Sequence, residues 1–359
     1  MPRILVVNPG STSTKVAVYE GQTCLMVQSL PHAHEQLARY AKMTDQLPFR
    51  KDLVVQVLQE HAIALDTLDA IVGRGGLLYP LEGGCYRVND QMVADLTNAV
   101  MGEHASNLGA LLARSLGDDL GKASFIVDPV VVDELCPLAR YSGTPDIWRM
   151  SIFHALNQKA VARRVAKQIS KPYARCRFIV AHLGGGISVG AHQGGRVIDV
   201  NNALDGDGPF SPERSGGLPA GQLARLCFSG KYSLDEIHKM IKRNGGLVAY
   251  LGTHDASEII TAIEQGDDHA KEVLEAMAYQ VSKEIGALAA VLCGEVDAII
   301  LTGGLAHNDL VVDWIRRRVH FIAPVTCVPG EDEMLALYEG ALAALTGVAA
   351  AKDYHGKQE

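Results

Sequence analysis

Apolar and polar positions at the start of the chain are arranged in blocks that predict a β-hairpin. The apolar run Ile4–Val7 precedes the polar segment 8–15, Asn-Pro-Gly-Ser-Thr-Ser-Thr-Lys, and a second apolar run, Val16–Tyr19, follows it. Two short apolar runs separated by a glycine-bearing turn are typical of two strands and a tight connection. Backbone N–H groups in such a turn can hold an anion, and the hydroxyls and the lysine add donors. An ordinary polar hairpin is the alternative interpretation.

The same pattern recurs 174 positions later, in residues 178–195. Asn8 then corresponds to His182, and Gly10 corresponds to Gly184. A third strand could follow in each copy, over 24–30 in the first and over 196–200 in the second. Two such copies predict a duplicated α/β domain, although chance similarity between two glycine-bearing hairpins would give the same match.

The later segments alternate between helices and strands, as expected of an α/β protein. The predicted helices cover 105–116, 271–292, 309–319 and 333–345, and the predicted strands cover 124–127 and 298–301. Asn308 could cap the helix that follows it. The domain boundary is expected near residues 140–150, and residues 351–359 are expected to form a polar tail.

The composition fits two domains with sizeable cores. The chain has 359 residues, 48% hydrophobic and 21% charged, with a formal net charge of −8. This mixed, net negative charge argues against a nucleic-acid or anionic-membrane surface. No apolar run reaches the ~18 residues of a transmembrane helix, and the N-terminus lacks a signal-peptide pattern. Seven cysteines occur singly without a CxxC pair, which favours reduced, mostly packed thiols in the cytoplasm over disulfides or a zinc site.

Three glycine-rich turns follow apolar strands, at residues 8–15, 182–188 and 302–307. Glycine lets a phosphate or a base approach the backbone without a clash with Cβ. None of the three turns has the GxxxxGK[ST] pattern of a P-loop. Three turns in similar places indicate nucleotide binding more strongly than one turn does.

Charged residues at strand ends and in loops are the candidates for catalysis. Asp128 follows a predicted strand, where carboxylates commonly hold Mg²⁺. Arg74 and Arg214 lie among glycines and could bind an anionic substrate, although a surface salt bridge is the usual role of arginine. The acidic cluster 331–333 could bind a metal or complement a helix N-terminus. His154, at a helix start, could be a packing residue.

Taken together, these motifs resemble the acetate and butyrate kinase family of the actin-like ATPase superfamily. The resemblance spans nearly the whole chain and is carried by segments 8–15, 151–155, 182–186 and 301–305. Several stretches are similar to butyrate kinases in particular: GRGGLLYPLEGG, GEHASNLGA, VDPVVVDE, NNALDGDGPFSPERSG and GGLVAYLGT.

The resemblance implies an α/β fold with duplicated ribonuclease-H-like domains flanking a nucleotide cleft. The acyl-substrate-side domain is expected over 1–145, completed by a C-terminal helix over 334–359, and the nucleotide-binding domain over 146–333. The resemblance also implies ATP as co-substrate, a requirement for Mg²⁺, and a homodimer or higher homo-oligomer.

The family's site residues carry over to matching positions. The implied catalytic residues are Asn8, Arg74, Asp128, His154 and Arg214. The implied phosphate- and nucleotide-binding residues are Ser11, Ser13, Lys15, His182, Gly184, Gly185, Gly186, Asp255, Gly303, Gly304 and His307. Glu333 and Asp128 are the implied metal ligands. Gly75, Gly76 and Phe153 are the implied acyl pocket, since glycines after Arg74 would leave room for a chain longer than acetate. Two departures stand out: acetate kinases carry Asn at the position of Gly185, and their loop after Gly304 differs.

The implied reaction is the reversible phosphorylation of a short-chain fatty acid, expected to be butyrate, by in-line transfer from ATP to give ADP and an acyl phosphate. The carboxylate is ionised at pH 7, so no general base is required. Arg74 and Arg214 would bring the two anions together, and His154 would donate to a phosphoryl oxygen. Acetate, propionate and branched-chain acids are alternative substrates. A non-catalytic ATP-binding module and a sugar kinase of the same superfamily are alternative functions.

Overall fold

The protein, described here by a computed structural model over residues 1–357, contains two compact units. Unit 1 comprises Met1–Val132 and the chain from Asp332 onward, and unit 2 comprises Asp133–Glu331. Each unit has one mixed β-sheet with helices packed against it and a hydrophobic core of its own. No helix within the described residues has both the length and the apolarity that a membrane span needs.

The sheet of unit 1 has six strands in the order β3-β2-β1-β4-β6-β5. These strands are β1 (Arg3–Pro9), β2 (Ser13–Glu20), β3 (Thr23–Pro31), β4 (Ala70–Arg74), β5 (Cys85–Arg87) and β6 (Ala123–Val127). The helices before the chain enters unit 2 are α1 (His34–Leu37), α2 (Leu47–Glu60), α3 (Asp90–Thr97) and α4 (Asn107–Leu120). The first three strands form an antiparallel meander, and β1, β4 and β6 run parallel. Apolar residues of β1 and β2, such as Leu5 and Val18, are fully buried and form part of the core.

The sheet of unit 2 has five strands in the order β11-β10-β7-β8-β9. These strands are β7 (Arg177–Leu183), β8 (Ile187–Gln193), β9 (Arg196–Val200), β10 (Ala298–Gly303) and β11 (Val325–Pro329). The helices are α5 (Ala155–Gln168), α6 (Ala220–Cys227), α7 (Leu234–Lys242), α8 (Gly246–Leu251), α9 (Ala256–Glu264), α10 (Asp268–Val291) and α11 (Asp309–Val319). The apolar stripe predicted for 271–292 lies on α10, where Leu274, Val281 and Ile285 are buried in the core.

Five strands of each sheet share one topology, which confirms the predicted duplicated α/β fold; β5 is an addition in unit 1. In each, three antiparallel strands are followed by two strands parallel to the first, namely β4 and β6 in unit 1 and β10 and β11 in unit 2. The first strands begin at Arg3 and Arg177, and the second strands begin at Ser13 and Ile187, so the spacing of 174 positions is kept.

The chain returns to unit 1 through α12 (Glu333–Leu345), which packs against β1, β4 and β6. The helix ends at Leu345, so the expected C-terminal helix over 334–359 is too long. The prediction of a polar tail is confirmed only in part, since Asp353, His355 and Lys357 are exposed but the residues between them are buried. Tyr354 is only 3% exposed, and its hydroxyl donates to Asp95 Oδ2 at 2.7 Å. Residues 358 and 359 of that prediction lie outside the described residues.

Two other predictions are wrong at places where residues far apart in sequence are in contact. The helix expected to end at Leu116 continues to Leu120, and Gly117 within it packs so closely on β6 that a Cβ there would lie 2.1 Å from Ser124 Oγ. Residues 133–145, expected in the first domain, belong to unit 2. They are tied there by the buried pair of Glu134 and Lys159 at 2.8 Å.

Two further predictions have mixed outcomes. The bounds predicted for α11 are confirmed, with Asn308 Oδ1 accepting from the N–H of Val311 at 3.1 Å. The cysteines are less packed than expected. All seven are free thiols, of which Cys85 and Cys176 are buried while three are exposed: Cys24, Cys227 and Cys293.

Candidate active site

Three of the predicted catalytic residues lie at the carboxyl ends of neighbouring parallel strands in unit 1. Asn8 lies at the end of β1, Arg74 ends β4, and Asp128 follows β6. The register pairs Val7 with Gly73 and Arg74 with Val127, which brings these ends to one edge of the sheet. In α/β sheets, ligands bind at the carboxyl ends of parallel strands.

Glu333 connects two of these residues. Its Oε2 atom accepts a hydrogen bond from Asn8 Nδ2 at 2.8 Å, and its Oε1 atom forms an ion pair with Arg74 Nη1. The side chains of Arg74 and Glu333 are 17% and 19% exposed. A guanidinium has five N–H donors, so this ion pair orients Arg74 and leaves donors for an anionic substrate.

Asp128 has an unusual backbone conformation. It is 1% exposed, and its φ of 38° lies in the left-handed region, which is costly for a non-glycine residue. Its N–H donates to Gly84 O at 2.9 Å, and its Oδ1 atom accepts from the N–H of Gly84 at 2.7 Å. This reciprocal pair holds the carboxyl group at the end of β6.

The turn predicted to bind an anion is shorter than expected. Strand β1 continues through Pro9 and β2 begins at Ser13, so the connection comprises only residues 10–12. The N–H of Gly10 donates to Ser13 O at 2.8 Å and closes the turn. Ser11 is exposed and Ser13 is half-buried. Lys15 lies on β2, exposed and directly opposite Asn8, rather than in the turn.

The space beside Gly75 and Gly76 is filled by protein. A Cβ on Gly75 would lie 2.5 Å from Pro129 Cβ, and a Cβ on Gly76 would lie 2.6 Å from Asn107 Cα. These glycines therefore allow close packing inside unit 1. They do not leave the vacant space that the sequence interpretation assigned to a longer acyl chain.

In unit 2, Arg214 lies against the glycine turn that follows β7. A Cβ on Gly186 would fall 1.9 Å from Arg214 Nη1, so the guanidinium rests on the bare backbone of this turn. Arg214 Nη1 donates to Ala203 O at 2.7 Å, whereas the buried Nε atom has no hydrogen-bond partner among the described residues. Burial lowers the pKa of Arg214 from its ordinary value. The glycine turn and Arg214 form a cationic site with a vacant donor.

Two stacked histidines adjoin this turn. The rings of His154 and His182 lie 3.7 Å apart, with an angle of 12° between their planes. His182 Nδ1 is 2.9 Å from Asn157 Oδ1, and Asn157 Nδ2 donates to Gly330 O at 3.4 Å. Because the amide donates through nitrogen, its oxygen accepts from His182, which places a proton on Nδ1.

The other ring nitrogen of His182 faces the carboxylate of Glu331. His182 is 1% exposed, and its Nε2 atom lies 3.0 Å from Glu331 Oε1 but without the geometry of a hydrogen bond. A Cβ on Gly184 would lie 3.0 Å from this Nε2 and 3.1 Å from the Glu331 oxygen. The absence of a side chain at Gly184 therefore leaves room for the Glu331 carboxylate beside the buried imidazole.

Ser188 orients His154. Its Oγ atom is 2.9 Å from His154 Nδ1 and accepts from Gln158 Nε2 at 2.8 Å. The hydroxyl hydrogen can then be donated to Nδ1, which assigns the N–H of the neutral imidazole to Nε2. Hydrogen-bond donation from His154 to a phosphoryl oxygen would use that N–H.

The remaining nucleotide candidates lie on two separate elements of unit 2. Gly303 ends β10, which pairs with β7 at His182, and the exposed Gly304 and His307 follow it. Asp255 is the N-cap of α9, where Oδ1 accepts from the N–H of Ser257 at 2.7 Å. This capping contact gives Asp255 a structural role. Phe153 is 2% exposed and precedes His154.

The carboxylates of unit 1 fit a metal ion that brings most of its own ligands. Within residues 1–357, no group of three or more His, Cys, Asp or Glu side chains is arranged as a metal cage. Glu333 already engages both oxygens, and Asp128 engages Oδ1, so each has only residual acceptor capacity. Mg²⁺ commonly uses one or two carboxylates together with water and substrate phosphates, and these residues suit that arrangement.

Several residues of the site gave no sequence signal. Asn157, Ser188 and Ser211 act through contacts that a strand or helix pattern cannot reveal, and Arg50 lies on a helix that packs against the first turn. The glycine turn could have suggested Ser211, since turn carbonyls need a donor. Its Oγ donates to Gly185 O at 2.7 Å.

Solved structures of other proteins have the same fold. An acetate kinase from Porphyromonas gingivalis superposes with a TM-score of 0.76 at 18% identity, covering 95% of this chain and 99% of that one. A propionate kinase from Francisella tularensis subsp. tularensis SCHU S4 gives a TM-score of 0.71 at 19% identity, covering 94% and 98%. At these identities the likeness shows the fold, which is that of the actin-like ATPases.

Sequence relatives define the family. Butyrate kinase 2 of Clostridium acetobutylicum is 55% identical over 352 residues, which cover 98% of this chain and 99% of the relative. A probable butyrate kinase of Clostridium botulinum (strain Alaska E43 / Type E3) is 52% identical with the same coverage. The model of the acetokinase family matches residues 146–322. The chain belongs to the acetate and butyrate kinase family, which confirms the resemblance noted in the sequence.

Proposed function

We propose that this protein transfers the γ-phosphoryl group of MgATP to the carboxylate of butyrate, reversibly, to give ADP and butyryl phosphate. A carboxylate oxygen attacks the γ-phosphorus in line. The bond from phosphorus to the β,γ-bridging oxygen breaks, and ADP keeps that electron pair. No base is needed because the attacking carboxylate is ionised at pH 7.

One observation carries the proposal: Arg214 rests on the bare turn at Gly186 with a buried, unpartnered Nε. A half-buried cation with a vacant donor beside backbone N–H groups is chemistry that suits a phosphoryl group. Family membership supplies the acceptor, since the relatives at 52–55% identity are named butyrate kinases.

The other site residues would bring the two anions together or bind the nucleotide. Arg74, oriented by Glu333, would bind the carboxylate of the acid. His154 would donate to the transferring phosphoryl through Nε2, and Arg214 would neutralise that group. His182, the glycines 184–186 and Asn8 would contact the nucleotide phosphates, together with Ser11, Ser13 and Lys15. Gly303, Gly304 and His307 would adjoin the adenosine.

Mg²⁺ is proposed to arrive with the nucleotide. Glu333, with Asp128, would hold it through residual lone pairs or through water, and the ion would supply neutralisation of the phosphate charge. The proposal also includes a homodimer and a cytoplasmic location, both of which rest on the family resemblance.

Butyrate is proposed over acetate, propionate and branched-chain acids because of the names of the relatives. Each CH₂ buried contributes about 0.8 kcal/mol, so a few pocket residues can set this preference. Phe153 remains the proposed acyl contact, without a contribution from vacant space at Gly75 or Gly76.

Trapping the acyl phosphate with hydroxylamine tests the proposal. The purified protein, MgATP and linear or branched acids of two to five carbons should yield hydroxamate, with the highest kcat/KM for butyrate. Arg214→Ala should lower the rate by about 10³-fold while the protein stays folded, since cations in this role contribute that much. Arg225→Ala, at an exposed arginine of α6, is the matched control and should retain the rate.

Two outcomes would contradict the proposal. Wild-type rates for Arg214→Ala would remove Arg214 from the reaction. Binding of MgATP without hydroxamate from any acid would support a non-catalytic ATP-binding module instead.

A further inference from the structure

A buried arginine lies directly behind the first glycine-bearing turn. Arg50 is on α2, some 40 positions from the turn in sequence, and its side chain is 0% exposed. Arg50 has no role in the proposed phosphoryl transfer. Arginine is among the residues least often fully buried, so this position calls for a physical reason.

The guanidinium of Arg50 binds the turn through several donors. Its Nη1 atom donates to Gly10 O at 2.9 Å, to Ser13 O at 3.0 Å and to Thr14 Oγ1 at 2.9 Å. Its Nη2 atom lies 3.5 Å from Ser11 O. One cation therefore gathers the carbonyl oxygens on both sides of the three-residue connection.

Gln46 fixes the other side of the guanidinium. Its Oε1 atom accepts from Arg50 Nε at 3.0 Å and from Arg50 Nη2 at 2.8 Å. Every partner of Arg50 is a neutral oxygen, and no carboxylate pairs with it in the part of the chain that the structure describes. Its positive charge is uncompensated and held in one orientation.

The surroundings keep this charge. Burial lowers the pKa of Arg50 to about 10, which still leaves it protonated at pH 7. The nearby His32 shares Thr14 Oγ1 at 2.9 Å, and burial together with the charge of Arg50 lowers the pKa of His32 to about 4. His32 is therefore neutral at pH 7, and Arg50 is the cation of this cluster.

The carbonyl contacts matter for anion binding. A peptide turn carries acceptors as well as donors, and a carbonyl oxygen facing an anion repels it. In the equivalent turn of unit 2, Gly185 O accepts from Ser211 Oγ at 2.7 Å and from the N–H of Glu213 at 3.3 Å. Both turns thus have carbonyls bound from the protein side, and in unit 1 the donor is charged.

We infer that Arg50 is a positioning residue for the proposed anion-binding turn at residues 10–12. It draws the carbonyl oxygens inward so that N–H and hydroxyl donors face a phosphate, and it places a buried positive charge behind them. The inference rests on the proposed function for the identity of the anion, a nucleotide or acyl phosphate.

Two substitutions separate the charge from the geometry. Arg50→Met removes both, whereas Arg50→Lys keeps the charge but not the planar set of donors. Arg50→Met should lower kcat by about 10²-fold, as expected for a misplaced binding group, with KM for butyrate unchanged. Arg50→Lys should recover part of that loss.

A matched control measures the effect of lost stability alone. Leu58→Ala removes a fully buried side chain two turns further along α2 without touching the turn. It should lower the Tm and leave kcat unchanged at temperatures where the protein is folded. If Leu58→Ala lowered kcat as much as Arg50→Met at equal loss of Tm, or if Arg50→Met kept the wild-type kcat, the inference would be overturned.

A binding readout keeps this test separate from the proposed reaction. Inorganic tripolyphosphate should raise the Tm of the wild type and of Leu58→Ala, but not of Arg50→Met. If the wild type made no acyl phosphate, the rise in Tm with tripolyphosphate would still test the role of Arg50. The same rise in Tm in Arg50→Met as in the wild type would refute the inference. If Arg50→Met failed to fold, Arg50→Lys would be tested in its place. Tripolyphosphate should raise the Tm of Arg50→Lys by less than it raises the Tm of the wild type. An equal rise in Tm would overturn the inference.

Discussion

A single added methyl group at Gly186 tests the placement of Arg214. The Cβ of Gly186→Ala would lie 1.9 Å from Arg214 Nη1 and 2.6 Å from its Cζ. Ordinary contact begins at 3.4 Å, so the guanidinium must move by about 1.5 Å or the turn must shift. Gly186 does not have a positive φ, so alanine adds this steric clash without backbone strain.

The displacement has a calculable effect on rate. It would break the hydrogen bond from Arg214 Nη1 to Ala203 O, now 2.7 Å long. A misplacement of about 1 Å at a reacting group costs about 10²-fold in rate, or about 2.7 kcal/mol of barrier. We therefore expect kcat of Gly186→Ala to fall by at least about 10²-fold.

Hydroxamate formation from butyrate, measured as kcat and KM alongside thermal unfolding, is the assay. Gly286→Ala is the matched control, since no atom lies within 4 Å of a Cβ at this position of α10. It should leave kcat unchanged and stabilise the helix by up to ~1 kcal/mol. A wild-type kcat for Gly186→Ala would refute the contact of Arg214 with the transferring group.

Two further substitutions probe unit 1. Glu333→Gln removes the charge that pairs with Arg74 and should raise the Mg²⁺ concentration for half-maximal rate by about 10-fold, whereas Glu339→Gln, exposed on the same helix, should not. Identical Mg²⁺ titrations would exclude Glu333 from the metal. The pKa of His32 is lowered from 6.5 to about 4, so below pH 6.5 the unfolded chain binds a proton that the folded unit does not. His32 should therefore lower the free energy of unfolding by about 2 kcal/mol between pH 7.5 and 5, as urea titrations can measure. His32→Asn should lose this part of the slope, and an equal slope in the variant would contradict the assignment.

Much of the fold could be predicted because its signals are local. The apolar runs around the first hairpin and their repeat 174 positions later predicted strands that the structure contains, since period and turn residues act within a few positions. The bounds of α11 were predicted for the same reason: an Asn cap and an apolar stripe mark them. Family motifs also indicated Arg74, His154 and Arg214 as candidate site residues.

Other features failed because their causes lie far away in sequence. The helix expected to end at Leu116 runs to Leu120, and Ser124 occupies the space that Gly117 leaves. Gly75 and Gly76 look like vacant space, yet Pro129 and Asn107 fill it. Local sequence carries no information about which side chain will occupy the space that a glycine leaves.

The sequence alone determined that the chain is a duplicated α/β protein with two glycine-bearing turns and a set of charged residues after its strands. Only the tertiary structure decided how those charges pair. Asn8 and Glu333 are 325 positions apart and 2.8 Å from each other, and Arg50 reaches a turn about 40 positions before it. Sheet order and helix docking set such contacts through burial and hydrogen bonding over the whole unit, and no short-range pattern records them.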